Sequence, residues 1–181
     1  MEYQTNKNSL NICMTYSYFS NLVKLNWNDI LFAIENRYLM HNSAIEHAEL
    51  KLINDPDSSQ EVLDLVCLTP KEAMLSNSIY PYINKLADVV DDSEKAKSKD
   101  KIMYVLLNWI FENQETFDDP FKVIEVVYSD FDYPKSIVNF IGYMPMPLDE
   151  LKLYTTPLKA RERMIINWVD FLKKERKRFD R

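Results

Sequence analysis

A single glycine, Gly142, stands among 181 residues. Average usage is about 7%, so roughly a dozen are expected in a chain of this length. Tight hairpins, phosphate-cradling loops and nucleotide-binding turns need positive φ or close backbone approach, and glycine supplies both. A Walker loop, a dinucleotide-binding fingerprint and a nucleophile elbow are therefore excluded. An all-β fold with tight turns is disfavoured on the same ground.

Caps and apolar stripes along most of the chain agree on helix. Asn26 stands before Trp27, Ile30, Leu31, Ile34 and Tyr38, which fall at helical spacing. Ser43 with Glu46 has the form of a capping box, and Ser58 with Glu61 opens the next helix. Thr69-Pro70-Lys71-Glu72 combines a cap, proline at the first helical position and glutamate at the third. Pro81 opens another helix. Ile102, Val105, Leu106, Trp109 and Ile110 form one stripe, and Asp119-Pro120 caps a helix bearing Phe121, Ile124, Val127 and Tyr128. Asp132-Tyr133-Pro134 starts a short helix that stops near Gly142. Thr156-Pro157 opens the last and longest, with Ile165, Trp168, Val169 and Leu172 inward. Residues 11–18 remain open between strand, from the alternation of Ile12, Met14, Tyr16 and Tyr18, and helix.

The pattern predicts an all-α protein, an irregular multi-helix domain of about eight or nine helices whose succession of pairs suits a stacked array. Residues 1–10 read as a flexible tail and 11–181 as one helical domain. Residues 91–101, which hold one alanine and otherwise only charge or hydroxyl, read as a solvated loop.

Charge is uneven. Residues 159–181 carry nine basic and four acidic residues, +5, whereas the rest carries 13 basic against 24 acidic, −11. The basic tail reads as compensation for a helix dipole rather than a nucleic-acid site. Cys13 and Cys67 lie in apolar sequence surroundings and read as buried, reduced thiols. No N-terminal segment has the form of a secretory signal. The longest weakly polar run, Ile137 to Leu148, is too short and proline-rich to span a bilayer. A cytoplasmic location without a membrane partner is expected.

Candidate chemistry is sparse. His41 and His47, six residues apart, do not share the i, i+4 face that pairs two metal ligands, and His47 reads as a helix-surface residue beside Glu46. Neither a metal nor a cofactor is expected. Asp91 and Asp92, with Glu112 and Glu115 as a facing cluster, have the composition of a magnesium site in a helical phosphohydrolase. The densest patch runs from Glu115 to Tyr133: six acids against one lysine, Lys122, with aromatic residues interleaved. Asp119 and Asp132 suit helix caps there. Asp118, Asp130, Phe131, Asp132 and Tyr133 are the candidates for contact with a basic protein.

Phe117-Asp118-Asp119-Pro120, Tyr128 to Pro134, and Phe140 with Tyr143-Met144-Pro145 resemble the C-terminal signature of an uncharacterised bacterial family, domain of unknown function 2247. The Leu25-Asn26-Trp27 and Asn167-Trp168 helices are similar to it too. The resemblance implies an ordered bacterial domain and carries over no activity, cofactor or catalytic residue. It associates the chain loosely with small proteins that neutralise toxins. The functional expectation is a non-catalytic protein-binding module, an immunity-type inhibitor of a basic toxin. The alternative is the magnesium-dependent phosphohydrolase. Oligomeric state is not legible.

Overall fold

Where a polar side chain sits three residues ahead of its partner, the helix starts as the sequence dictates. Asn26 Oδ1 accepts from the Asp29 backbone N–H at 2.9 Å, and Asp29 Oδ2 accepts in return from the Asn26 N–H at 2.8 Å. Thr69 and Glu72 close the same reciprocal box. These contacts satisfy N–H groups that a helix leaves orphaned at its first turn. They belong to a computed structural model that describes residues 8–75, 77–87, 92–148, 150 and 152–179. Among the described residues the protein is all-α, with no strand.

The chain divides into two compact units, residues 1–102 and 103–181. The first contains α1 (Tyr16–Leu22), α2 (Trp27–Glu35), α3 (Ser43–Asn54), α4 (Gln60–Val66), the single turn α5 (Pro70–Ala73) and α6 (Tyr80–Leu86). Within it α3 packs on α1, α2 and α4, and α6 packs on α2 and α4. Residues 11–15 lie outside regular structure, and the helical alternative holds from Tyr16 onward. Asp29 is buried and ties the unit together. Its carboxylate accepts from the Ser98 hydroxyl at 2.7 Å and pairs with the Lys101 ammonium at 2.5 Å, and Lys101 also donates to the Lys24 carbonyl.

Helix α7 (Asp92–Glu112) crosses from one unit to the other in sequence. The charged segment 91–101 is therefore not a loop: from Asp92 it is the first half of this helix, and Asp91 falls outside the described residues. Lys, Glu and Ala are good helix formers, so composition alone misleads there. Ile102 through Leu107 are all buried, wider than a single stripe.

The second unit continues with a 3-10 turn (Gln114–Thr116), α8 (Pro120–Asp130), a 3-10 segment (Lys135–Phe140) and α9 (Pro157–Phe179). Trp168 of α9 is buried with Phe111, Phe121 and Phe140 around its ring. Arg163 pairs with Glu150 and donates to the Asn139 carbonyl, which also accepts from Asn167, so α9 grips the 3-10 segment by its backbone. Ile165, expected inward, is exposed; the buried stripe of α9 runs through Arg163, Trp168, Phe171, Leu172 and Glu175.

Two starts differ from expectation. Helix α3 has Asn42 at its cap with no side-chain cap bond, and Asn42 instead donates to Glu46 at 2.7 Å. At α4 the cap is Ser59, and Ser58 bonds back to the Asp55 carbonyl. Among the described residues five non-glycine ones take positive φ: Asn11, Arg37, Asn77, Asp132 and Tyr133. No described helix is long and apolar enough to cross a membrane.

Candidate functional site

Helix α8 fixes the aromatic and acidic residues between 118 and 133. Asp119 caps it by accepting from the Phe121 N–H at 3.1 Å, Pro120 occupies the first position, and Phe121, Ile124, Val127 and Tyr128 turn inward. At its end the Phe131 N–H bonds to the Val127 carbonyl, Asp132 to Ser129 at 3.1 Å and Tyr133 to Tyr128 at 2.8 Å. These bonds hold Asp132 at φ 61° and Tyr133 at φ 57°. Asp132 is thus not a helix cap, as its sequence position implies. It belongs to a left-handed reversal, and Pro134 caps the 3-10 segment that follows. Aspartate tolerates this region because of its short polar side chain, but a tyrosine there is strained. Strain of this kind persists only when the surroundings over-determine it.

The reversal sets two tyrosines around a third. The Tyr128 ring is buried; the Tyr133 ring stands 5.2 Å from it at 82°, and the Tyr143 ring 6.4 Å from it at 58°. Tyr133 is 61% exposed and Tyr143 58%. Loss of hydration, then the nearby Tyr128, Tyr133 and Glu125, push the Tyr143 phenol above its ordinary range. Glu125 lies one turn before Tyr128 and takes the Lys122 ammonium at 2.9 Å. A β-carbon on Gly142 would stand 3.0 Å from Glu125 Oε1, so this glycine gives the carboxylate room beside Tyr143.

The five residues singled out by sequence do not form one cluster. Phe131 is buried, a core ring rather than a contact residue. Asp118 is exposed but precedes α8, while Asp130 ends it, about 16 Å away along an eleven-residue helix. Asp130 is half-buried; Asp132 and Tyr133 are exposed. Tyr143 and Glu125 complete the grouping. The Glu125–Tyr128 spacing is readable in sequence, but Tyr143 arrives only through the tertiary path of residues 134–142. Asp119 is also engaged by Arg161 at 3.2 Å, and the Arg161 guanidinium lies 4.9 Å from the centre of the Phe121 ring.

Other candidates are placed as follows. His47 is buried, not on the surface: the Tyr16 hydroxyl meets its Nδ1 and the Trp27 ring stands 4.5 Å away at 87°. No group of three or more metal-ligating side chains occurs among the described residues. Asp92 and Glu112 are the first and last residues of α7, roughly 30 Å apart along a straight helix. Glu112 and Glu115 are exposed, and Glu112 accepts from Asn108. The side chain of Asp92 and the whole of Asp91 lie outside the described residues. Both cysteines, expected buried, are exposed. The last turn of α9 carries Arg176, Lys177 and Arg178, with Arg178 paired to Glu175 at 2.9 Å.

Residues 16–176 match the family described as an uncharacterized protein conserved in bacteria, domain of unknown function 2247, and the chain belongs to it. No curated protein and no solved structure matches the chain.

Proposed function

We propose that this family member is a non-catalytic protein-binding module whose partner is basic, an immunity-type inhibitor of a basic toxin or similar effector. The observation that carries the reading is the pair of exposed tyrosines, Tyr133 and Tyr143, held against a buried one beside Glu125 and Asp132. Tyrosines are favoured as contact residues because they offer large area at low cost in side-chain freedom. Toxins that attack nucleic acid carry basic surfaces, since phosphate contact dominates their affinity. An inhibitor with acid in matching places gains association rate and specificity.

The location that goes with this reading is the cytoplasm, and two exposed free thiols suit a reducing compartment. The basic end of α9 suits its own dipole, which supports a reading without nucleic acid as the ligand. The phosphohydrolase alternative has less support, because Asp92 and Glu112 stand at opposite ends of one helix.

The test is capture of partners by the purified chain from its source cell, at low and raised salt. A basic protein that is retained at low salt and released by added salt supports the reading. Its retention weakens with Asp130→Asn/Asp132→Asn, a change that keeps residues tolerated at positive φ. Capture of no basic protein, or retention unchanged by both salt and the double variant, overturns it.

A further inference from the structure

We propose that Tyr128, Tyr133 and Tyr143 form a receptacle for one cationic side chain, an arginine or lysine of the partner, with Glu125 as its counter-charge. The inference rests on the basic-partner reading above and names what that face recognises.

The geometry supplies each part. Tyr128 is the buried floor, fixed by α8, and the other two rings stand at 82° and 58° to it rather than flat upon it. Both Tyr133 and Tyr143 are more than half exposed, which leaves them accessible to a ligand. A cation gains from an aromatic face within about 6 Å of the ring centre, and aromatic cages use several such faces at once. The same unit already uses this contact internally, where Arg161 lies over Phe121 at 4.9 Å.

Charge points the same way. Glu125 Oε1 occupies the space that a β-carbon at position 142 would crowd, which keeps the carboxylate beside Tyr143. Its other oxygen holds Lys122, whose side chain is 72% exposed. The Glu125 end of the pair is only 16% exposed, so an incoming cation must compete with this ammonium for the carboxylate. Asp132, exposed in the reversal, adds negative potential next to Tyr133. Loss of hydration first, and then the neighbouring rings and Glu125, raise the Tyr143 phenol. An anionic ligand would meet Glu125 and Asp132 and is disfavoured.

The experiment is calorimetric titration of the full chain with an acetylated, amidated tetra-arginine peptide, and with a tetra-glutamate control. Binding of the cationic peptide alone is expected. Tyr133→Leu and Tyr143→Leu each weaken it by roughly three- to thirty-fold, and Tyr133→Phe restores it. A readout independent of variant folding is proton NMR on the wild type, where ring currents move the arginine Hδ signals upfield on binding. Equal affinity in the leucine variants with no such shift overturns the receptacle. If the peptide responds only to Asp130→Asn/Asp132→Asn, the receptacle fails while the acidic-face reading stands. If the peptide binds through the rings but no basic protein is captured from the cell, the acidic-face reading fails and the receptacle stands. No binding of the cationic peptide overturns the receptacle.

Discussion

The Tyr16 hydroxyl lies 2.9 Å from Nδ1 of His47, while Nε2 of the same buried ring has no hydrogen-bond partner among the described residues. Burial first, and the Lys51 charge second, push the His47 imidazole down to about 3 from an ordinary 6.5. The folded protein therefore holds His47 neutral where the unfolded chain protonates it. Between pH 6.5 and about 3 the unfolded state binds the extra proton, so this contribution to stability is complete above 6.5 and falls as acid is added. The loss attributable to His47 is at most about 5 kcal/mol. Urea midpoints measured across that window should fall less steeply for His47→Gln than for wild type. Equal slopes would show that the ring protonates in place.

The Asp29 carboxylate accepts from the Asn26 backbone N–H at the start of α2 and from Ser98 and Lys101 of α7, with only 1% of its surface exposed. Asp29→Ala removes half of a capping box and the carboxylate that Ser98 and Lys101 share, although Lys101 keeps the Lys24 carbonyl. Breaking a buried pair from one side costs about 3–5 kcal/mol. A double-mutant cycle with Lys101→Ala, read by denaturation, should show strong coupling; additive losses would mean that the pair contributes little beyond the cap.

Cys13 and Cys67 are exposed, so a thiol reagent should modify both without denaturant. Partial burial raises the Cys13 thiol above its ordinary range, which lowers its thiolate fraction. Cys13 should therefore react more slowly than a free cysteine at neutral pH. Protection of either thiol until the protein unfolds would contradict their placement.

Gly142 does not take positive φ, so alanine is allowed there by the backbone. The added carbon meets Glu125 Oε1 at 3.0 Å, the far end of a flexible side chain whose lysine partner is exposed. Gly142→Ala should raise stability by about 0.5 kcal/mol, through reduced freedom of the unfolded chain. It should also displace the Glu125 carboxylate from its place beside residue 142. A loss of more than about 1 kcal/mol would show that Glu125 cannot yield.

Local contacts were the legible part of this protein. The Asn26–Asp29 and Thr69–Glu72 boxes and the Asp119 cap close within three residues, so residue types at fixed offsets suffice to find them. The same local rule over-predicts at Ser43 and Ser58, which do not cap their helices, and the remaining failures have a different cause. Ser98 and Lys101 reach Asp29 across 69 and 72 positions, and a segment that looks solvated by composition becomes half of a helix. His47 is enclosed by Tyr16 from 31 positions earlier. The thiols have apolar neighbours in sequence and yet are exposed. At the candidate site, the acids and aromatics of 118–133 were readable, whereas burial of Phe131 and arrival of Tyr143 depend on how the chain returns after α8.

The scarcity of glycine also has a thermal consequence. Asn11, Arg37, Asn77, Asp132 and Tyr133 turn the chain with side chains in place. A glycine corner costs through the wide freedom of the denatured chain, a term that grows in proportion to temperature. A side chain held at positive φ costs mainly steric energy, about 1–2 kcal/mol, which changes little on heating. Five corners of this kind shift part of the opposition to folding from entropy to enthalpy. Warming therefore weakens these bends less than it would weaken the same path drawn with glycines.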